Sequence, residues 1–110
     1  MTVTVVRYRT KPDRADENQQ LVEGVYAALA ESRPDGFHYM TVRMADGVSF
    51  VHVASVETAD GTNPLTTTPA FGAFQADIAA RLEEPPVVME GTVIGSYEFP
   101  VDAAPAEGRS

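Results

Sequence analysis

The strand-like stretches of this chain carry apolar side chains at odd and even positions alike, so a sheet built from them has no face suited to water. Val3 and Val5 alternate with Val6 and Tyr8, Phe37 and Tyr39 with Met40, Val42 and Met44, and Phe50 and Val56 with Val51 and Val53. Successive strand residues point to opposite faces, and an antiparallel sheet with one solvated face alternates apolar with polar. Both faces of this sheet must therefore be covered. The two amphipathic helices identified below can shield one of them. A second copy of the chain is the simplest cover for the other, which predicts a homodimer.

The segments between the strands fix their order. Residues 2–10 are rich in Val, Thr and Tyr, which favour strands, and Lys11-Pro12-Asp13 stops them. Asp13 reads as an N-cap, with Asp16 and Glu17 near the positive end of a helix over 14–32. Leu21, Val22, Val25 and Leu29 recur there at helical spacing. Arg33-Pro34 ends the helix, because the residue before proline is pushed out of the α region. Two strands, 37–44 and 48–57, flank Asp46-Gly47, a strong hairpin signal. Residues 58–68 form a loop, of which Asp60-Gly61 to Pro64 reads either as a lid over a cavity mouth or as a plain connection.

Thr68-Pro69 opens a second helix carrying Phe71, Phe74, Ile78 and Leu82 on one stripe, and Pro85-Pro86 closes it. A last strand spans 87–99, and the Ala-, Pro- and Gly-containing tail over 100–110 reads as disordered. Strand, helix, strand, strand, helix, strand predicts an α+β, ferredoxin-like βαββαβ domain over residues 1–99 with a four-stranded antiparallel sheet. At 110 residues there is room for one domain, since domains run about 100–200 residues.

Composition narrows the partners. Sixteen acidic residues face eight basic ones, Lys11 is the only lysine, and the net charge is −8. Nucleic acid and anionic membrane surfaces both require a basic stripe that is missing here. The longest apolar run is far short of the ~20 residues of a membrane helix, and the first residues lack the basic start of a signal peptide. The absence of cysteine excludes disulfides, thiolate catalysis and thiolate metal sites and fits a reducing compartment, so a cytoplasmic location is expected. Two histidines at no metal-ligand spacing predict no metal site. No phosphate loop, nucleophile elbow or dinucleotide fingerprint appears, so no cofactor is expected.

His52 is the leading candidate for chemistry, lying mid-strand with Phe50, Ala54 and Val56 on its own face. A histidine there can act as a base on an acidic phenol or enol, or be a strand histidine satisfied by a neighbouring polar group. Its company depends on the hairpin register. A two-residue Asp46-Gly47 loop pairs Thr41 with His52 and Arg43 with Phe50. Tyr39, Thr41, Arg43, Phe50 and His52 then share a mixed face, and Met40, Val42, Met44, Val51 and Val53 form an apolar face suited to helix packing. A three-residue loop instead puts His38, Met40 and Val42 beside His52. The first register is favoured because it separates an apolar face from a mixed one. On that face Tyr39 can donate to a ketone or quinol oxygen, and Arg43 can clamp an anionic oxygen or sit as a solvated charge. Arg7 and Arg9 read as rim charges, and His38 as structural.

Three segments carry a family resemblance over about residues 2–99: Val3-Thr4-Val5-Val6, Pro34-Asp35-Gly36-Phe37, and the run from Leu65 through Thr68-Pro69 to Phe74. With these the chain resembles the antibiotic-biosynthesis monooxygenase family of dimeric α+β barrels. The resemblance implies two sheets packed face to face in a dimer, with a cavity between sheet and helices in each subunit. It implies cofactor-free oxygenation of a small aromatic or quinone-type substrate; on the residue reading above, His52 and Tyr39 would then be catalytic and Arg43, Phe50 and Thr41 substrate-binding. A non-catalytic, ligand-binding dimer is the other function it allows. Leu65 stands where family members often carry histidine. No tryptophan and no first-strand asparagine is present to match the heme-degrading branch.

Overall fold

The structure, a computed structural model, describes residues 2–58 and 61–98. Strands β1 (Thr2–Arg9), β2 (Phe37–Arg43), β3 (Ser49–Val56) and β4 (Val87–Thr92) form one sheet in the order β2-β3-β1-β4. All three strand pairs are antiparallel. Helix α1 (Ala15–Ser32) follows β1, and two short helices, α2 (Pro69–Gln75) and α3 (Ile78–Arg81), stand between β3 and β4. This is the expected ferredoxin-like order, with its second helix in two pieces. The tail predicted to be disordered, 100–110, lies outside the described residues, as does part of the loop read as a lid.

Helix α1 buries Ala15, Asn18, Val22 and Val25, one stripe at helical spacing. Asp13 does not cap it. Pro12 instead starts a 3-10 turn over Pro12–Arg14, and Arg14, the residue before α1, makes no side-chain cap. At the other end Arg33 turns left-handed (φ 48°) and its N–H donates to the Leu29 carbonyl, ending the helix one residue before Pro34.

The second helix was expected to run unbroken to Leu82, and the structure corrects this. Ala76 is extended and Asp77 is left-handed (φ 58°). The break frees the carbonyls of Phe74 and Ala76, which accept from the buried Arg81 guanidinium at 2.6 and 3.1 Å. In an uninterrupted helix those oxygens would be taken by backbone N–H groups four residues on. Phe74 and Leu82 of the predicted stripe are nonetheless buried.

The last strand is also shorter than expected. Its ladder with β1 ends at Thr2↔Thr92, and residues 93–98 have no strand to pair with among the described residues. Ile94 is 99% exposed.

The β2–β3 hairpin adopts the favoured register, Thr41↔His52 and Arg43↔Phe50. Its closing bond is Met44 N–H to Ser49 O, so the loop is residues 45–48 rather than two residues, with parity unchanged. The Asp46 carboxylate fastens it by accepting from the N–H groups of Val48 and Ser49 and from the Ser49 hydroxyl. Gly47 supplies the positive φ (80°) that the turn needs.

This register sorts the faces cleanly, but the helices cover the face opposite to the one expected. Tyr8, Tyr39, Thr41, Phe50 and His52 lie under the helices, packed with Val22, Val25, Leu65 and Phe74. The apolar face of Val5, Met40, Val42, Val51, Val53 and Met89 carries no helix among the described residues, with Val42 40% and Met89 66% exposed. The reason is chemical. The helices bring their own polar groups, Asn18, Tyr26 and Arg81, and these can satisfy a mixed face, whereas they would strand polar atoms against an apolar one.

Candidate functional site

His52 stands at the centre of the covered face and is only 5% exposed. Its Nε2 lies 2.8 Å from Tyr8 Oη. Its Nδ1 lies 2.6 Å from Tyr39 Oη and 3.2 Å from Thr41 Oγ1. The sheet register creates this cluster: Thr41 is directly across from His52, Tyr39 is two residues along the same face of β2, and Tyr8 is diagonal to His52 on β1. The hydroxyls are then satisfied from the helices. Asn18 Nδ2 donates to Tyr8 Oη at 2.9 Å, and Tyr26 Oη meets Thr41 Oγ1 at 2.7 Å. Arg81 Nε donates to Asn18 Oδ1 at 3.2 Å. A connected line of polar groups thus crosses the core from Arg81 to Tyr26.

Aromatic rings flank this line. Tyr8 stacks on Phe50 with centroids 5.6 Å apart, Phe74 lies 5.6 Å from the imidazole, and Tyr26 stacks on Tyr39 at 5.1 Å. Burial pushes the His52 pKa down to about 4. Burial pushes Tyr8 up to about 12, partly offset by the Asn18 hydrogen bond and the Arg81 charge. Burial likewise raises Tyr39 and Tyr26. At neutral pH the imidazole and the three phenols are therefore uncharged. The cluster can hold and orient protons, and His52 is a weak base.

The structure brings together His52, Tyr39 and Thr41 of the expected residues and places Phe50 beneath Tyr8. Arg43 lies elsewhere, at the hairpin end. It donates to Asp16 Oδ1 (3.1 Å), to Gln19 Oε1 (2.6 Å) and to the Gly47 carbonyl, while lying over the Phe50 ring. Those donors tie the hairpin to α1. His38 faces the uncovered side, 4.0 Å from Glu57, and Arg9 pairs with Glu84. Leu65 is a core residue.

Sequence reasoning missed Tyr8, Asn18, Tyr26 and Arg81 as members of the cluster. A signal for two of them existed. Asn18 sits on the apolar stripe of α1, and Arg81 sits seven residues after Phe74, beside Leu82.

Two surface depressions do not reach His52. One of about 740 Å³ lies on the uncovered face among Val3, Met40, Val53, Ser55 and Tyr97. The other, about 430 Å³, lies at the sheet end beside Arg7, Arg9, Asp46 and Glu84. Between sheet and helices, Phe74, Leu65 and Val22 fill the layer around the cluster where the resemblance implies a cavity. Among the described residues, no three His, Asp or Glu side chains converge as metal ligands, and no helix is long and apolar enough to cross a membrane.

No family model and no curated protein matches this sequence. Solved structures do match its fold. A presumed antibiotic biosynthesis monooxygenase from Nitrosomonas europaea superposes with a TM-score of 0.70 at 17% identity, over 86% of this chain and 100% of that one. SnoaB, a cofactor-independent oxygenase from Streptomyces nogalater, gives 0.63 at 18% identity, over 89% and 97%. A protein of unknown function from Nitrosomonas europaea gives 0.66 at 13% identity, over 87% and 91%. The chain therefore has the α+β fold of antibiotic biosynthesis monooxygenase structures, and identities this low specify no substrate.

The depressed His52 pKa has a measurable consequence. Between pH 6.5 and about 4 the unfolded chain binds a proton at this residue that the folded chain excludes, so stability falls as pH drops through that window. The loss below pH 4 is roughly 3 kcal/mol from this group. An NMR titration should place the His52 midpoint near 4, with urea stability declining over the same range; a midpoint near 6.5 contradicts the sealed cluster.

Proposed function

We propose that this chain is a cytoplasmic, homodimeric, cofactor-independent oxygenase of a small aromatic or quinone-type substrate, with Tyr39 and His52 carrying its chemistry. The observation that carries the reading is the 2.6 Å bond between Tyr39 Oη and a buried, neutral His52, set among aromatic rings. The fold shared with a cofactor-independent oxygenase supports it.

In this scheme Tyr39 donates its hydroxyl hydrogen to the ketone oxygen of the substrate's keto tautomer. Its raised pKa keeps it protonated, so it is a donor throughout. His52, engaged on both nitrogens, acts through Tyr39 and stabilises the negative charge that grows on that oxygen as the neighbouring C–H ionises. The C–H proton passes to solvent. The carbanion then gives its electrons to dioxygen and a C–O bond forms. Cleavage of the O–O bond converts CH2 to C=O, and the second oxygen leaves as water with both hydrogens. Phe50 and Thr41 would flank a substrate held at Tyr39, with Arg43 at the hairpin end.

A second reading, a dimer that binds a ligand without turning it over, draws on the low exposure of His52 and the full engagement of its ring. The dimer itself is supported by Val42 and Met89, exposed on the face without helices, since an exposed apolar surface disfavours a lone subunit.

Oxygen uptake with an anthrone-like phenol separates the two functions. Wild-type turnover should fall about 10²–10³-fold in Tyr39→Phe, the effect of losing one oxyanion donor, and fall also in His52→Ala. Unchanged turnover in His52→Ala removes that residue from the scheme, and binding without any oxygen uptake favours the second reading. Sedimentation equilibrium at micromolar concentration should give twice the mass of one chain, reduced to a single copy by Met89→Asp. A wild-type protein that sediments as single copies contradicts the dimer.

A further inference from the structure

We infer that Arg81 and Asn18 are positioning residues that fix the tautomer of His52, holding its proton on Nδ1 and aiming it at Tyr39. The inference rests on the reading of Tyr39 and His52 as the functional pair. It follows from the direction of each hydrogen bond in the line.

A guanidinium has five donors and no acceptor. Arg81 is 1% exposed and clamped: its two terminal nitrogens donate to the Phe74 and Ala76 carbonyls, and its Cζ lies 5.4 Å from the Phe74 ring centre. Its Nε therefore presents a fixed donor to Asn18, and only the amide oxygen can answer it. That settles which way the Asn18 amide faces. Its nitrogen must then point at Tyr8, 2.9 Å away, and an amide nitrogen only donates.

Tyr8 Oη accepts this bond, which leaves its own single hydrogen to give. The acceptor 2.8 Å away is His52 Nε2. A neutral imidazole carries one proton, so with Nε2 accepting, the proton sits on Nδ1. Nδ1–H donates to Tyr39 Oη at 2.6 Å, the shorter of its two contacts. Tyr39 now accepts from behind, and its own hydrogen is free for a substrate oxygen. Every link runs one way because the first member of the line cannot accept. A residue 29 positions from His52 in sequence thereby sets which nitrogen of the ring is protonated. Donation along such a line strengthens each successive bond, so Arg81 makes Tyr39 a better donor without touching it.

The test is the protonation pattern of the His52 ring, read by NMR of the whole chain with 15N-labelled histidine at neutral pH. The expected wild-type signal is a protonated Nδ1 and a bare Nε2. Asn18→Asp should invert it. A carboxylate accepts from both neighbours, so the Tyr8 hydrogen turns toward it and Tyr8 Oη accepts from Nε2–H instead. Pairing with Arg81 keeps that buried carboxylate compensated. Should Asn18→Asp not fold, Tyr8→Phe reads the same link by removing the donor at Nε2, and the single tautomer should give way to a mixture. A wild-type proton on Nε2, or an unchanged pattern in the folded variant, overturns the inference. The readout is independent of turnover. The expected tautomer without oxygen uptake leaves this inference standing and sinks the oxygenase, and the wrong tautomer with uptake does the reverse.

Discussion

A buried imidazole is tolerated when both ring nitrogens have partners, because a buried polar atom left unpaired costs about 1–3 kcal/mol. His52 meets that condition through Tyr8 on one side and Tyr39 with Thr41 on the other. The requirement then propagates. Buried phenols need partners of their own, so α1 supplies Asn18 and Tyr26 at positions where an isolated amphipathic helix would carry apolar side chains. Asn18 in turn needs a donor, and Arg81 provides it. Arg81 needs acceptors, and the interruption at Ala76-Asp77 exposes two carbonyls for it. The break between α2 and α3 is thus connected, bond by bond, to a histidine in the middle of the sheet.

The same logic explains which face of the sheet the helices chose. The stretch of Met40, Val42, Val51 and Val53 offers no side-chain partner for Asn18, Tyr26 or Arg81. The mixed face does. The apolar layer is left over, and the driving force for hiding it grows with its area. One sheet thus carries two separate properties, a polar seam on one side and a largely apolar surface on the other.

Much of this architecture is written locally. Helix α1, the hairpin register and the order of the four strands follow from apolar spacing, Pro34 and Asp46-Gly47, features that act over a few residues. The trio of Tyr39, Thr41 and His52 follows from that register alone. The remaining members do not, because Tyr8, Asn18 and Arg81 meet only after β1, α1 and α3 have packed, and no local pattern encodes a contact across 63 residues such as Arg81 to Asn18. The unbroken second helix was a reasonable reading of Phe71, Phe74, Ile78 and Leu82. Tertiary demand from Arg81 overrode the propensity, as it commonly does. The longer last strand failed for a related reason: alternation in 93–98 cannot make a strand where the ladder with β1 has ended. The cap assigned to Asp13 lost to the turn started by its neighbour Pro12.

The organising role of the Tyr8–His52 bond is most directly tested by a double-mutant cycle in urea unfolding, with Tyr8→Phe, His52→Phe and the pair together. If the bond holds the seam together, the double variant loses less stability than the two single losses summed, by about 0.5–3 kcal/mol. Single losses that add to within about 0.3 kcal/mol would mean that the two side chains merely sit side by side, and that the core is organised by something else.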